Sequence, residues 1–319
     1  MSDGFLTLAQ APGGLTYFLM PRWLPEGRNP IRPMRLKDKL GNRANASAEI
    51  ELEGAMAFRP GKDGAGIGTI IEIVHHTRLD TALAHAGLMR AARAGAVRWC
   101  EGRRAFRRLL IDPQLIRVVL ADLALDWKAA IALGLRVAAA FDDPAERGFA
   151  RIAVALAKFH ANKRVLWVVG EALECLGGIG YVEETPLPLL YREAPLNGIW
   201  EGSGNVICLD VLRSLKRMPD AAASLRTELE SAVGANPVYD EAVRCLPDLE
   251  KEPSGEAGAR LLTERLAVLL GAPVLLRHGP PAVADAYCST RLGPRGSAAG
   301  TIGPVDAAGI LERLEAGGP

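Results

Sequence analysis

Apolar and polar positions alternate, with interruptions, over Phe5 to Gln10, Leu15 to Met20 and Ala48 to Leu52, and the pattern predicts strands. Gly13-Gly14 between the first two predicts a hairpin. Three or four strands are few for a sheet, so an open edge is expected unless another subunit or further chain pairs with it. From about Gly66 the period changes. Ile70, Ile71, Ile73, Val74, Leu79, Leu83, Leu88 and Met89 recur at helical spacing, which predicts a helix continuing to about Gly102. A second helix is expected from Asp112-Pro113, with Asp112 as N-cap and Pro113 at the first helical position, to about Phe141. A third runs from Asp143-Pro144 to Cys175-Leu176. At about 1.5 Å per residue these helices reach roughly 45 Å, and short turns between them predict antiparallel neighbours in a bundle. A fourth is expected from about Asn205 to Met218. After Pro219 the regularity fades: helical stretches near Asp220 to Val233, Ala257 to Leu270 and Asp306 to Glu315 alternate with pieces such as Gly279-Pro280-Pro281 and Gly293-Pro294-Arg295-Gly296, so the tail reads as a smaller helical appendage.

The 319 residues suffice for a sizeable core, and 49% apolar with 24% charged residues is ordinary for a globular chain. No charge-free apolar run approaches the ~18 residues of a membrane span, and Met1-Ser2-Asp3-Gly4 does not open a signal peptide, so a cytoplasmic protein is expected. Five widely spaced cysteines, Cys100, Cys175, Cys208, Cys245 and Cys288, form no CxxC pair and no metal-binding spacing, which fits reduced thiols and no metal site. The net charge of +1 is uneven. Residues 218 to 319 hold nine Lys/Arg against fourteen Asp/Glu, so attraction to phosphates belongs to the first two-thirds of the chain.

Three stretches could carry chemistry, and each has a plain alternative. In Ile199-Trp200-Glu201-Gly202-Ser203-Gly204-Asn205 one carboxylate stands beside a large ring and flexible turn residues, a place for a tuned base; the alternative is a solvated carboxylate at a helix start. Gly177-Gly178-Ile179-Gly180 follows no strand and precedes no GKS/T, so it is neither a Rossmann fingerprint nor a P-loop; it is a helix C-cap or a backbone packed on a phosphate. Arg98, Arg103, Arg104, Arg107 and Arg108 with Phe106 surround the first interhelical turn, which suits either a pyrophosphate with an adenine edge or a solvated helix end. His75, His76, His85, His160 and His278 have no metalloprotease-type spacing.

Taken in order, Met20-Pro21-Arg22, Lys39-Leu40-Gly41-Asn42-Arg43 with Ala48-Glu49-Ile50-Glu51, Arg78, Arg103-Arg104-Ala105-Phe106, Glu174-Cys175-Leu176-Gly177-Gly178-Ile179-Gly180-Tyr181 and Tyr191-Arg192-Glu193-Ala194 through Glu201-Gly202-Ser203-Gly204-Asn205 resemble the acyl-CoA dehydrogenase family. The similarity is greatest to its adaptive-response branch, whose tail Leu275-Leu276-Arg277-His278 and Ala282-Val283-Ala284-Asp285 also resemble. The resemblance implies an α+β, mainly α fold. It consists of part of the antiparallel β-domain (residues 1–62), a C-terminal four-helix bundle (63–218) and a helical extension (219–319). It also implies FAD bound between subunits, so a homo-oligomer, dimer or tetramer, or a partner chain supplying the family's N-terminal domain. This chain begins within the family's β-domain, so a fragment is one expectation. By resemblance Glu201 is the base that removes the α-proton of an acyl-CoA thioester, and Arg78 supports its loop. Some members place the base directly before that arginine, where this chain has Thr77. Arg103 and Phe106 would contact the pyrophosphate and adenine side of FAD, Glu174, Gly177 and Gly178 the ADP part of a neighbour's FAD, and Ser203 and Asn205 the FAD of their own subunit. Two positions depart from the family: Arg107 replaces a usual Gly, and Glu174 replaces a Gln, the latter shared by the branch. The branch also implies a second function class, a protective protein contacting duplex DNA; the acidic tail would leave that contact to the arginines near 90 to 108.

Overall fold

The computed structural model describes residues 2–246, 255–294 and 296–311. The chain divides into two compact units, Met1–Thr77 and Arg78–Pro319, and the division falls inside the first long helix.

In the first unit β1 (Gly4–Ala11) pairs antiparallel with β2 (Gly14–Pro21), the hairpin expected from the glycines, with Ala11 opposite Gly14. Gly14 has φ +109°, which a side chain would resist. After the short pair β3 (Trp23–Leu24) and β4 (Gly27–Arg28), β5 (Ile31–Leu36) pairs with β6 (Ala48–Leu52). The sequence pattern did not predict β5, because Pro33 sits inside it; the register shifts between Pro33 and Arg35, where the ladder gives way to the missing N–H. Buried Asn29 ties these pieces together. Its Nδ2 donates to the carbonyls of Pro21 (2.7 Å) and Met56 (2.8 Å), and its Oδ1 accepts from Met56 N (2.9 Å). The strands form two-stranded sheets, so open edges remain among the described residues, as expected.

α1 (Gly66–Gly102), α2 (Gln114–Asp142), α3 (Arg147–Cys175) and α5 (Gly204–Arg217) are the four expected long helices. Asp112 is not the cap of α2. Pro113 takes the N-cap position without a side-chain bond, and the Asp112 carboxylate instead accepts from Leu109 N (2.9 Å), closing the preceding hairpin. Asp143 accepts from Ala145 N (2.9 Å) and so caps the short 3-10 turn Pro144–Glu146 that leads into α3. α3 is buried nearly all round over Phe149–Asn162, so it is the central helix of the unit; its alanines at 150, 153, 155, 157 and 161 let neighbours approach closely.

The tail is α6 (Pro219–Glu230), α7 (Pro237–Arg244), α8 (Gly255–Leu270), α9 (Ala272–His278), α10 (Pro281–Tyr287) and α11 (Ala307–Leu311); the expected extension of α11 to Glu315 lies outside the described residues. By packing the tail is not an appendage. Leu225, Leu229, Tyr239, Leu266, Leu270 and Tyr287 share one buried core with Leu125, Leu133, Ile152 and Leu156 of α2 and α3. Charges cross the same seam. Arg291 reaches Asp126 (Nε to Oδ1, 3.0 Å) and the Asp122 carbonyl (Nη2, 2.9 Å), while Arg164 grips the other Asp126 oxygen (Nη2, 2.6 Å). Burial pushes the Asp126 carboxyl up, but the two guanidinium groups outweigh it and hold it at about 2.

Candidate functional site

The Glu201 loop is built on four elements. A connector leaves α3 through a tight turn, Gly177–Tyr181, passes α4 (Leu187–Glu193) and a short turn Leu196–Gly198, and reaches Trp200-Glu201-Gly202 just before α5. Glu183 and Arg192 clamp the connector with two bonds of 2.5 and 3.0 Å. Glu201 has φ +56° and Gly202 φ +99°. A glutamate in the left-handed region costs roughly 1–2 kcal/mol, so the surrounding structure must impose it.

Two buried cations bond to this stretch of backbone. Arg78, early in the second unit, donates through Nε to the Glu201 carbonyl (3.1 Å) and through Nη1 to Asp210 Oδ2 (2.6 Å) on α5. Asp210 also takes Nη2 of Arg151 at its other oxygen (2.7 Å). Burial raises its carboxyl pKa, but Arg151 and Arg78 outweigh that and keep it below the usual range, so it stays an anion between two guanidinium groups. Lys158, fully buried on α3, donates to the carbonyls of Asn197 (3.0 Å), Trp200 (2.7 Å) and Gly202 (2.8 Å). Asn162 Nδ2 adds a bond to Asn197 O (2.9 Å). Glu201 is half-buried and its carboxylate accepts no hydrogen bond among the described residues, while Trp200 is 39% exposed. The backbone is fixed and the acid is left available.

The expected residues fall at two places. Arg78, Glu201, Ser203 and Asn205 are together. Ser203 is the N-cap of α5 but its hydroxyl makes no capping bond, and Asn205 Oδ1 accepts from Arg260 Nη1 of α8 (2.7 Å). Arg103 and Phe106 lie just beyond the far end of α1, roughly 36 Å from Arg78 at about 1.5 Å per residue. Glu174, Gly177 and Gly178 lie at the far end of α3, roughly 35 Å from Arg151 by the same measure. These two ends meet. Cys100 and Leu176 belong to one buried cluster, and burial with the neighbouring Cys100 pushes the Cys175 thiol up to about 12. α1 and α3 are therefore parallel, with one set of expected residues at each end.

At that far end β7 (Arg104–Ala105) and β8 (Arg108–Leu109) form a small hairpin whose tip, Phe106 and Arg107, has φ +50° and +67°. Arg107 thus occupies a backbone conformation suited to glycine, and Phe106 is 92% exposed. Gly177 has φ +67°, the C-cap reading of this cluster, while Gly180 is buried where a Cβ would strike the Leu173 carbonyl. Gly177 and Gly178 are exposed with open space where a Cβ would stand, so a ligand could lie on this backbone. Glu174 beside them is exposed.

The sequence reading missed Lys158, Arg151, Asn162 and Asp210. A lysine within the apolar run Val154 to Phe159, and an aspartate on the apolar face of α5, were the signals present. Among the described residues no group of His, Cys, Asp or Glu could hold a metal ion, and no helix is long and apolar enough to cross a membrane.

Residues 64–216 match the family model for the acyl-CoA dehydrogenase C-terminal domain. AidB of Escherichia coli (strain K12), an acyl-CoA dehydrogenase family member, is 43% identical over 92% of this chain and 55% of its own length. The crystal structure of Caenorhabditis elegans ACDH-11 in complex with C11-CoA superposes with a TM-score of 0.77 at 26% identity, covering 98% of this chain and 60% of that one. An acyl-CoA dehydrogenase from Bacillus anthracis complexed with FAD shares the fold alone: TM-score 0.71, 18% identity, 100% of this chain and 62% of that one. This chain spans about half the length of the curated relatives it matches. With the helical bundle, the arginine hairpin and the Glu201 loop in the family's order, the chain belongs to the acyl-CoA dehydrogenase family.

Proposed function

We propose that the chain works as an FAD-dependent acyl-CoA dehydrogenase, with Glu201 as the base that takes the α-proton of an acyl-CoA thioester. The observation that carries this reading is the fixed left-handed backbone of Glu201, held by Arg78 and Lys158, with a carboxylate free of hydrogen bonds among the described residues. A proton acceptor needs that combination: defined position, and lone pairs not already engaged. Acyl-CoA as substrate class is supported by the likeness to ACDH-11, which was crystallised with C11-CoA.

Where FAD binds, it supplies the acceptor for the β-hydrogen. The residues of this chain fit such a group in two separate places. Ser203 has an unused hydroxyl at the N-terminus of α5, where backbone N–H groups favour phosphate oxygens. Roughly 35 Å away, Arg103 and exposed Phe106 stand at the same end of the bundle as the open backbone of Gly177 and Gly178. One protomer cannot bring both places to a single point, so on this reading two copies share each cofactor and the active form is an oligomer. On the same reading residues 1–62 are part of the family's β-domain, 63–218 its bundle and 219–319 an extension.

The test is direct: titrate the purified protein with FAD, follow quenching of flavin fluorescence, then add acyl-CoA without oxygen. Saturable quenching followed by bleaching of the bound flavin supports the reading. A protein that takes up no FAD removes the cofactor from it.

A further inference from the structure

The Glu201 loop carries few hydrogen bonds of its own: Gly198 N donates to Pro195 O (3.1 Å), and Ile199 N and Trp200 N both donate to Leu196 O (2.9 and 3.1 Å). Four of its carbonyls meet buried cations instead. Those of Asn197, Trp200 and Gly202 converge on the single nitrogen of Lys158, at 2.7 to 3.0 Å. We propose that Lys158 is the positioning residue of this site, its ammonium holding the backbone on both sides of Glu201 in the left-handed turn and so setting where the carboxylate points. The proposal rests on the reading of Glu201 as the base.

The chemistry of the contact is particular to lysine. An ammonium has three donors around one atom, and three carbonyls use all of them. A guanidinium spreads its donors in a flat fork and cannot bring three to one point, and a neutral side chain leaves the Trp200 and Gly202 carbonyls unpaired, with Asn197 O keeping its bond from Asn162. The charges around it are consistent with this post. Burial, Arg78 on α1 and Lys163 on α3 all work against the charge of Lys158, while the Glu201 carboxylate favours it. His85, also on α1 and within electrostatic reach of Lys158, has its pKa lowered to about 4 chiefly by burial, so it adds no further cation near neutral pH. Arg78 alone would not suffice. It holds only the carbonyl of Glu201 itself, and its second contact goes to Asp210.

The experiment compares wild type with Lys158→Met, Lys158→Arg and Glu201→Gln by peptide-level hydrogen exchange and by acyl-CoA turnover. In Lys158→Met, exchange at residues 196–204 should accelerate about tenfold or more while α2 and the C-terminal half of α3 keep their protection. Its kcat should fall by about tenfold or more with KM nearly unchanged, because the acid is misaimed rather than substrate binding lost. Lys158→Arg, which keeps the charge but not the convergence, should lie between. Should Lys158→Met fail to fold, Lys158→Arg decides by the same two readouts. Unchanged exchange at 196–204 overturns the proposal whatever the turnover. So does a loosened loop with kcat intact when Glu201→Gln is inactive. Turnover that survives in Glu201→Gln overturns the base reading instead, and the exchange data still decide whether Lys158 holds the loop.

Discussion

Arg291 Nε donates to Asp126 Oδ1 over 3.0 Å, and both side chains are almost fully withdrawn from water. This bond joins the segment after α10 to the middle of α2, so the last hundred residues are held by buried charge as well as by apolar packing. Arg291→Leu should leave Asp122 and Asp126 buried with too little positive charge and cost about 3–5 kcal/mol. Urea denaturation checks it; a loss below about 1 kcal/mol would mean that the pair is not needed for stability.

Acidification should destabilise the fold before the carboxylates titrate. Burial lowers the pKa of both His85 and His160 to about 4, with Asn162 and Asp126 respectively opposing it weakly, against 6.5 in the unfolded chain. A depressed folded-state value means the unfolded chain binds more protons between those limits. Stability is therefore complete above about pH 6.5 and falls as pH drops toward 4, by up to about 1.4 kcal/mol per pH unit for each histidine. Free energies of unfolding measured from pH 7 to 4.5 should show that slope, and His85→Asn with His160→Asn should flatten it.

At the arginine hairpin the strain is local and removable. Arg107 sits at φ +67°, where glycine carries no Cβ penalty. Arg107→Gly should raise stability by about 1 kcal/mol, partly offset by the greater freedom of glycine when unfolded. Thermal unfolding reads it; a lower midpoint would show that the Arg107 side chain contributes more than its backbone costs.

Gly202 should resist substitution more than any neighbour in its loop. Its φ of +99° is unsuited to side chains, and a Cβ would come within 3.2 Å of Val206 and 3.5 Å of Arg78 Nη2. Gly202→Ala should strain the turn that carries Glu201, costing roughly 1–2 kcal/mol of stability, and lower kcat by about tenfold or more. An unchanged rate would show that the loop tolerates the shift.

Much of this was legible beforehand because the signals are local. The ends of α1 at Gly102, of α3 at Cys175 and of α5 at Arg217 follow from apolar period, Gly and Pro, and the structure places them within a residue or two of where the pattern ends. Arg78 and Glu201 stood out because their neighbours form ordered motifs, and Arg78 does meet the Glu201 backbone. What stayed hidden depends on contacts distant in sequence. Lys158 meets residues 39 to 44 positions later, and Arg291 meets residues 165 and 169 positions earlier; no periodicity records such pairings. β5 was lost to Pro33, and the tail read as an appendage because its Pro and Gly conceal a core shared with α2 and α3.

The central claim is that Glu201 is the proton acceptor and that its carboxylate, rather than its place in the loop, carries the chemistry. Glu201→Gln keeps the side-chain shape and the backbone bonds to Arg78 and Lys158 while removing the base. With FAD and acyl-CoA mixed anaerobically in a stopped-flow instrument, flavin bleaching should be lost by about a thousandfold or more in this variant, with acyl-CoA affinity changed by less than about threefold. Bleaching at the wild-type rate in Glu201→Gln would contradict the account.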